Sequence, residues 1–340
     1  MKMNFLDDEK KRQINWWTYS SQTNWISDKN KWGKYKNVSY AHITQANLSD
    51  LLWKDIQIEL PNYLKNNKIN PHSGVRDLLS SWVAAANVYF PARSNNSLKT
   101  LLLGFLQSKV SRDIVEVVNV ELEYALDGDL SPKKLLGEMD GGRGVGQTSP
   151  DVAFIVKTKQ GKGLILIECK YTEHSFYGCS ARSKKDKGKR KGNPNPEKCL
   201  RAAATCNYKI LPCHQIVWGR KYLDYFELSS AGITKLKRCP AATAGYQLLR
   251  QQALANGIKA SGKYDLVVSS VSFDQRNSII RRCLKSTGIP DFTTGWSDIY
   301  QHGADFVTWH HQDWIQYVRD SQKNGEFDDW LKYLNDRYGY

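Results

Sequence analysis

The sequence predicts an α/β fold, a mixed central β-sheet flanked by helices, and three observations point to it. Helical apolar patterns come first, followed by a β-branched segment near the middle of the chain. Two apolar runs then flank a short glycine-containing connection, which reads as a β-hairpin. Beyond the hairpin, helical and extended patterns alternate to the C terminus. Helices, then a strand-rich centre, then alternating elements fit layers packed around one sheet.

Residues 1–70 are rich in Trp, Lys and Asn with broken periodicity. They read as an irregular N-terminal region with a short helix near Leu48–Leu60, ahead of a main domain over 71–340. Val75–Tyr89 has helical apolar spacing that stops before Pro91, and Leu98–Val110 is a second apolar helix. Ile114–Tyr124 is β-branched and partly alternating, a strand. Glycine-rich and polar residues make 127–149 a loop. DVAFIVK and LILIECKY form the hairpin, and 178–196 is loop again. Helices are expected at 197–210, Ala244–Ala255, Ile279–Lys285 and Asp313–Asp320, and strands at Tyr264–Val271 and Ala304–Trp309. The C-terminal segment carries Trp296, Tyr300, Trp309, Trp314, Tyr317, Trp330 and Tyr333, which read as core-facing aromatics.

The chain has 340 residues, 41% of them hydrophobic, enough for one large or two modest domains. No apolar run approaches the roughly 20 residues that cross a membrane, and the start lacks an apolar signal core. A soluble cytoplasmic protein with reduced thiols follows as the expectation. The net charge of +15 favours a polyanionic partner, nucleic acid first and an acidic membrane surface second. The surplus is unevenly spread. RSKKDKGKRK, residues 182–191, sets seven basic residues against one Asp.

The segment SPDVAFIVKTKQGKGLILIECKYTE carries the chemistry. Glu168 and Lys170 lie two apart at the end of an apolar strand, so they share a face. Ending such a run with Glu-x-Lys is costly unless the charges are paired or used. With the turn centred between Gln160 and Gly161, Asp151 sits opposite Lys170, with Cβ atoms about 4.5–5.5 Å apart. Asp151, Glu168 and Lys170 then cluster at the open end of the hairpin, on a face expected to meet solvent, while Ile167 and Cys169 pack against a helix. A divalent cation relieves the repulsion between Asp151 and Glu168. Mg2+ suits such a pair, with Mn2+ as the alternative. Lys170 is placed to position water or to offset phosphate charge.

Pro150-Asp151 followed by Glu168-Cys169-Lys170 resembles the PD-(D/E)xK superfamily of restriction-endonuclease-like nucleases, over about 25 residues. LSSWVAAANVYFPA together with IECKYTE is similar to prokaryotic proteins of that kind from defence loci. The resemblance implies a restriction-endonuclease-like αβ core, Mg2+ dependence, phosphodiester cleavage and a role in restriction or phage defence. It also implies a further acid on a preceding element. Glu121 and Glu123 are expected to share a strand face, and Glu121 joins the candidate catalytic set. Glu138, Asp140 and Glu173 rank behind as surface or loop acids. Tyr171 and His174 follow the strand closely enough to touch substrate.

Arg182, Lys184, Lys185, Lys187, Lys189, Arg190 and Lys191 form an electrostatic clamp for a DNA backbone, contributing affinity rather than sequence choice. Some nucleases of the superfamily hold an iron–sulfur cluster on four cysteines. Here Cys179, Cys199, Cys206 and Cys213 contain no C-x2-C pair. Cys199 and Cys206 would stand about 10.5 Å apart along a helix, too far for one metal. The reading is therefore a Mg2+-dependent DNA endonuclease, a homodimer where both strands are cut. A non-cleaving nucleic-acid-binding module on the same fold is the alternative from another class, and a junction- or RNA-directed nuclease is a second.

Overall fold

The computed structural model describes residues 4–21, 25–71, 74–139, 141–186, 188–205 and 213–340. Two sheets form. The smaller pairs β1 (Trp32–Tyr35) with β2 (Val38–Thr44). The larger has five strands, β3 (Ile114–Leu122), β4 (Val152–Thr158), β5 (Lys162–Lys170), β6 (Leu266–Phe273) and β7 (Asp305–His310), in that spatial order. β3, β4 and β5 are antiparallel neighbours, and β6 and β7 join in parallel. The sheet is mixed and flanked by helices, the α/β architecture of a restriction-endonuclease-like domain.

The apolar run of β5 follows from its place. A strand covered on both faces reads as continuous hydrophobic sequence. On one side Ile165, Ile167 and Cys169 join Val152 and Phe154 against Trp82 and Val83 of the helix Ser81–Tyr89. On the other, Leu164, Leu166 and Ala153 meet Leu248 and Ala255 of the helix Tyr246–Ala260. Each fully buried Leu or Ile contributes about 1.5–3 kcal/mol.

Several elements differ from expectation for local reasons. The helix expected at Val75–Tyr89 begins only at Ser81, because the Ser80 hydroxyl caps it by accepting from Val83 N. Asp77 bridges instead to Ile43. The helix near Leu48–Leu60 resolves into 3-10 turns, with α-helix only at Glu59–Asn66. The expected helix 197–210 is absent from its described part, where 3-10 turns at Pro196–Leu200 and Ala203–Thr205 stand. The expected loop 127–149 contains a short helix, Pro132–Leu136, started by the Ser131 cap. An N-terminal helix, Phe5–Ser20, and a C-terminal helix, Asp328–Tyr338, are unannounced. Trp296, Trp309, Trp314 and Trp330 are all buried, as expected of core-facing aromatics.

Candidate active site

The β4–β5 hairpin sets the geometry. Val152 pairs with Ile167 and Lys157 with Lys162. The parity is the expected one, but the turn is centred one residue earlier, and continuing the register puts Asp151 beside Glu168 rather than Lys170. The Thr158 hydroxyl explains the shift. It accepts from Gln160 N (3.2 Å) and Gly161 N (2.9 Å), folding the chain immediately after β4.

Asp151, Glu168 and Lys170 come together on the face shared with Ala153, Leu164 and Leu166. Lys170 Nζ donates to Glu168 Oε1 at 2.7 Å. Asp151 Oδ2 accepts from Cys169 N at 2.7 Å. This face does not open freely to solvent, contrary to expectation. Glu168 is 5% and Lys170 3% exposed, and Asp151 is half-buried. The cover is the chain beyond β5, which folds back so that Lys170 Nζ lies 5.8 Å from the Phe176 ring centre and 5.6 Å from that of Tyr177.

The electrostatics are those of crowded acids around one cation. Burial, and then the neighbouring Glu168 carboxylate, push the Asp151 carboxyl well above its usual range. Burial alone would pull the Lys170 ammonium down, but Glu168, Glu173 and Asp151 outweigh it and hold the pKa up. These acids favour the protonated form of Lys170, a cation suited to offsetting negative charge.

Glu121 is placed elsewhere. It bonds Arg93 Nη1 (2.8 Å), Arg143 Nη2 (2.9 Å) and the Tyr63 hydroxyl (2.6 Å). Burial opposes ionisation there, but these donors outweigh it and hold the carboxyl below its usual range. The pattern is a structural ion-pair knot. Glu123 is the acid that turns inward. β3 ends at Leu122, and Glu123 takes a left-handed φ of 46°, which interrupts the strand alternation between the two acids. Burial, then Asp151 and Glu168, raise the Glu123 carboxyl well above its range. A non-glycine residue held in this conformation is strained, and such strain collects at functional sites.

Other residues position the cluster. Glu138, ranked low from sequence, is buried and accepts from Thr148 N, Thr148 Oγ1 (2.6 Å) and Tyr222 (2.7 Å), while Arg250 Nε donates to Thr148 Oγ1 at 3.0 Å. Together they pin the loop leading into Pro150-Asp151. Asp140 lies outside the described residues. Behind β5, His311 Nε2 faces the Lys170 carbonyl at 3.1 Å and Nδ1 faces Ser272 Oγ at 2.8 Å. Burial lowers His311 to about 4, so the ring is neutral, and Nε2, which faces an acceptor, carries its proton. Tyr171 points away from the acids. It is fully buried, bonded to Glu9 (2.5 Å) and Gln13 (3.0 Å), so it cannot touch substrate as expected, whereas His174 is exposed. Glu173 Oε2 accepts from Tyr171 N at 2.8 Å.

The basic run is exposed at Lys184, Lys185, Lys189 and Lys191, and Lys187 lies outside the described residues. Arg182 donates to the Ala242 carbonyl (2.8 Å), and Arg190 lies 5.4 Å over the Trp218 ring. Lys191 pairs with Asp186 at 3.5 Å. Among the described residues none of these cations bonds an acid of the cluster. Cys179, Cys199, Cys213 and Cys239 line one cavity of about 550 Å³, brought together from separate segments. Cys206 is outside the described residues. Among the described residues no group of three His, Cys, Asp or Glu stands ready to hold a metal ion.

The mixed sheet flanked by helices is the fold of a restriction-endonuclease-like domain, and Asp151, Glu168 and Lys170 gather at the base of its β4–β5 hairpin. The chain matches, over residues 17–339, the family described as restriction endonuclease associating with ARP, and it belongs to that family. Membership points to a nuclease and to DNA as substrate. No curated protein and no solved structure shows significant similarity to the chain. No helix among the described residues is long and apolar enough to cross a membrane.

Proposed function

We propose that the protein is a Mg2+-dependent DNA endonuclease of the PD-(D/E)xK kind that hydrolyses phosphodiester bonds in restriction or phage defence. The observation that carries this reading is the gathering of Asp151, Glu168 and Lys170 on one face, with Glu168 and Lys170 buried and Asp151 half-buried. Burying charges costs several kcal/mol per ion unless they are used or well paired, and here the acids outnumber the cation.

Asp151 and Glu168 would hold the metal, with Glu123 as the third carboxylate in place of Glu121. Asp151 Oδ1 and Glu168 Oε2 have no hydrogen-bond partner among the described residues. Mg2+ is content with one or two carboxylates and completes its shell with water and phosphate oxygens, so a closed protein cage is not required. When bound, Mg2+ or Mn2+ supplies an acidified water and charge neutralisation at the phosphate. Lys170, kept protonated, donates to a phosphate oxygen and offsets charge as the bond breaks. The folded-back chain at Phe176 and Tyr177 limits water around the cluster. Cutting both strands takes two such sites, which makes a homodimer the working assembly.

A second reading draws on one specific observation. Lys170 is already bonded to Glu168, and no three-ligand metal group is arranged among the described residues, as a non-cleaving DNA-binding module would allow. Incubation with supercoiled plasmid separates the two. Nicked or linear product with Mg2+ and none with EDTA supports the nuclease. Retardation without cleavage, under Mg2+ and Mn2+ alike, supports the binder.

Two further outcomes are expected. Glu123→Gln should weaken Mg2+ binding, read by calorimetry, by about tenfold, the loss of one carboxylate contact. Glu121→Gln should leave that affinity unchanged and lower stability by about 2 kcal/mol, because it strips charged partners from Arg93 and Arg143. The reverse pattern would return Glu121 to the site. Replacing Lys184, Lys185, Lys189 and Lys191 by Gln should weaken binding to all DNA sequences alike. The slope of log K against log salt should fall by about 0.9 for each lost phosphate contact. An unchanged slope would remove this loop from the interface.

A further inference from the structure

We propose that the N-terminal hairpin β1–β2 and Tyr177 form one nucleic-acid groove that receives an unpaired stretch of the DNA strand beside the cut. The proposal rests on the nuclease reading and adds a substrate class to it.

The hairpin is built for display rather than for a core. Lys36 and Asn37 occupy its turn with left-handed φ of 48° and 64°, the conformation of a tight two-residue hairpin turn. It does not pair into the main sheet. Trp25 Nε1 fixes its base by donating to the Ala41 carbonyl (2.8 Å), and Leu78 N does so by donating to the His42 carbonyl (2.9 Å). Residues 29–49 contain four lysines and no acid. Lys34 and Lys36 are exposed and make no ion pair with any described residue, and Lys36 Nζ lies 5.4 Å over the Tyr35 ring. Tyr35 is 58% exposed and its neighbour Val38 52%. Large apolar side chains this exposed on a cationic ribbon fit a partner offering both phosphates and flat apolar faces.

The groove leads to the candidate active site. A cavity of about 810 Å³ is bordered by Trp32, Lys34 and Tyr35 on the hairpin, by Arg76, and by Tyr177. Tyr177 is 55% exposed and held at a left-handed φ of 54°, with its ring 5.6 Å from the ammonium of Lys170. One aromatic thus faces both the groove and the cluster. Asp77 is the acid on this wall, and its Oδ1 is engaged in capping Leu79 N at 2.9 Å. Lys34, Lys36 and Arg76 supply the phosphate contacts. Tyr35 and Tyr177 supply faces on which bases stack, and a base can stack there only when it is free of its own duplex. The preferred substrate is therefore duplex DNA carrying a single-stranded extension or bubble at the cut.

Fluorescence anisotropy in EDTA, where no cleavage occurs, tests this with a labelled duplex, the same duplex bearing a single-stranded extension, and the full chain. The extended duplex is expected to bind more tightly. Tyr177→Leu should weaken its binding by about 5- to 160-fold at an unchanged salt slope, the range of one lost stacked base. Lys34→Gln with Lys36→Gln should lower the slope by about 1.4 for a single strand. All three positions are exposed, and circular dichroism with thermal melting verifies that the variants fold. Wild-type affinity and slope in both variants, while the wild-type chain still cuts plasmid, would overturn the groove and leave the nuclease standing. Groove-dependent binding by a chain that never cuts would overturn the nuclease and leave the groove. An extension that adds no affinity would overturn the substrate class.

Discussion

Glu168→Gln or Asp151→Asn should lower Mg2+-supported DNA cleavage by about 10³-fold or more, roughly 4 kcal/mol of transition-state stabilisation. The fold should survive. Each change removes one carboxylate from a crowd and leaves the packing of Ile167 and Cys169 on the other face untouched. The metal-free protein should also show the crowding directly. Asp151 and Glu123 have carboxyl pKa values raised above those of an unfolded chain, so the folded state holds their protons more tightly than the unfolded state. Their contribution to stability is present at low pH and is lost as pH rises from the usual carboxylate range towards the raised values. Mg2+ binds the deprotonated acids, so its affinity and its thermal stabilisation should grow with pH through the same window. Thermal melting at several pH values, with and without Mg2+, checks both signs. Mg2+ stabilisation that stays flat or falls with pH would detach the metal from these acids.

Lys170→Met is expected to be the most destabilising single change near the site, about 3–5 kcal/mol. It leaves Glu168 buried beside Asp151 without the ammonium that now bonds it at 2.7 Å. The double variant Glu168→Met, Lys170→Met should recover most of that loss, because a buried ion pair exchanged for apolar side chains of similar volume is close to neutral. Cleavage should be absent in both. Urea unfolding measures the coupling between the two positions. Additive losses would mean that the pair is not energetically linked in the folded protein.

The hairpin was largely legible because side chains alternate along a strand. The run LILI ahead of Glu168 marks a strand covered on both faces, and the parity of the pairing follows from putting Asp151 and Glu168 together. Its turn centre was not legible, since it depends on the Thr158 hydroxyl taking two amides. Glu121 and Glu123 look equivalent in NVELEY. Only the end of β3 at Leu122 and the left-handed backbone of Glu123 separate an ion-pair residue from an acid facing the cluster. The N-terminal hairpin was missed because WGKYKNVSY alternates poorly, although Lys36-Asn37 between Tyr35 and Val38 was a usable turn signal. Cys179, Cys199, Cys213 and Cys239 meet through tertiary folding alone. The helix expected across 197–210, on which the separation of Cys199 from Cys206 rests, is 3-10 turns over its described part.

The most direct test is a crystal structure of the protein grown with Mn2+, with diffraction collected for manganese anomalous scattering. A peak is expected between the carboxylates of Asp151 and Glu168, with Mn–O distances near 2.1 Å, together with loss of that peak in Glu168→Gln. No peak at these acids under Mn2+ concentrations that support cleavage, or a peak held by other side chains, would contradict the assignment of this cluster as the catalytic metal site.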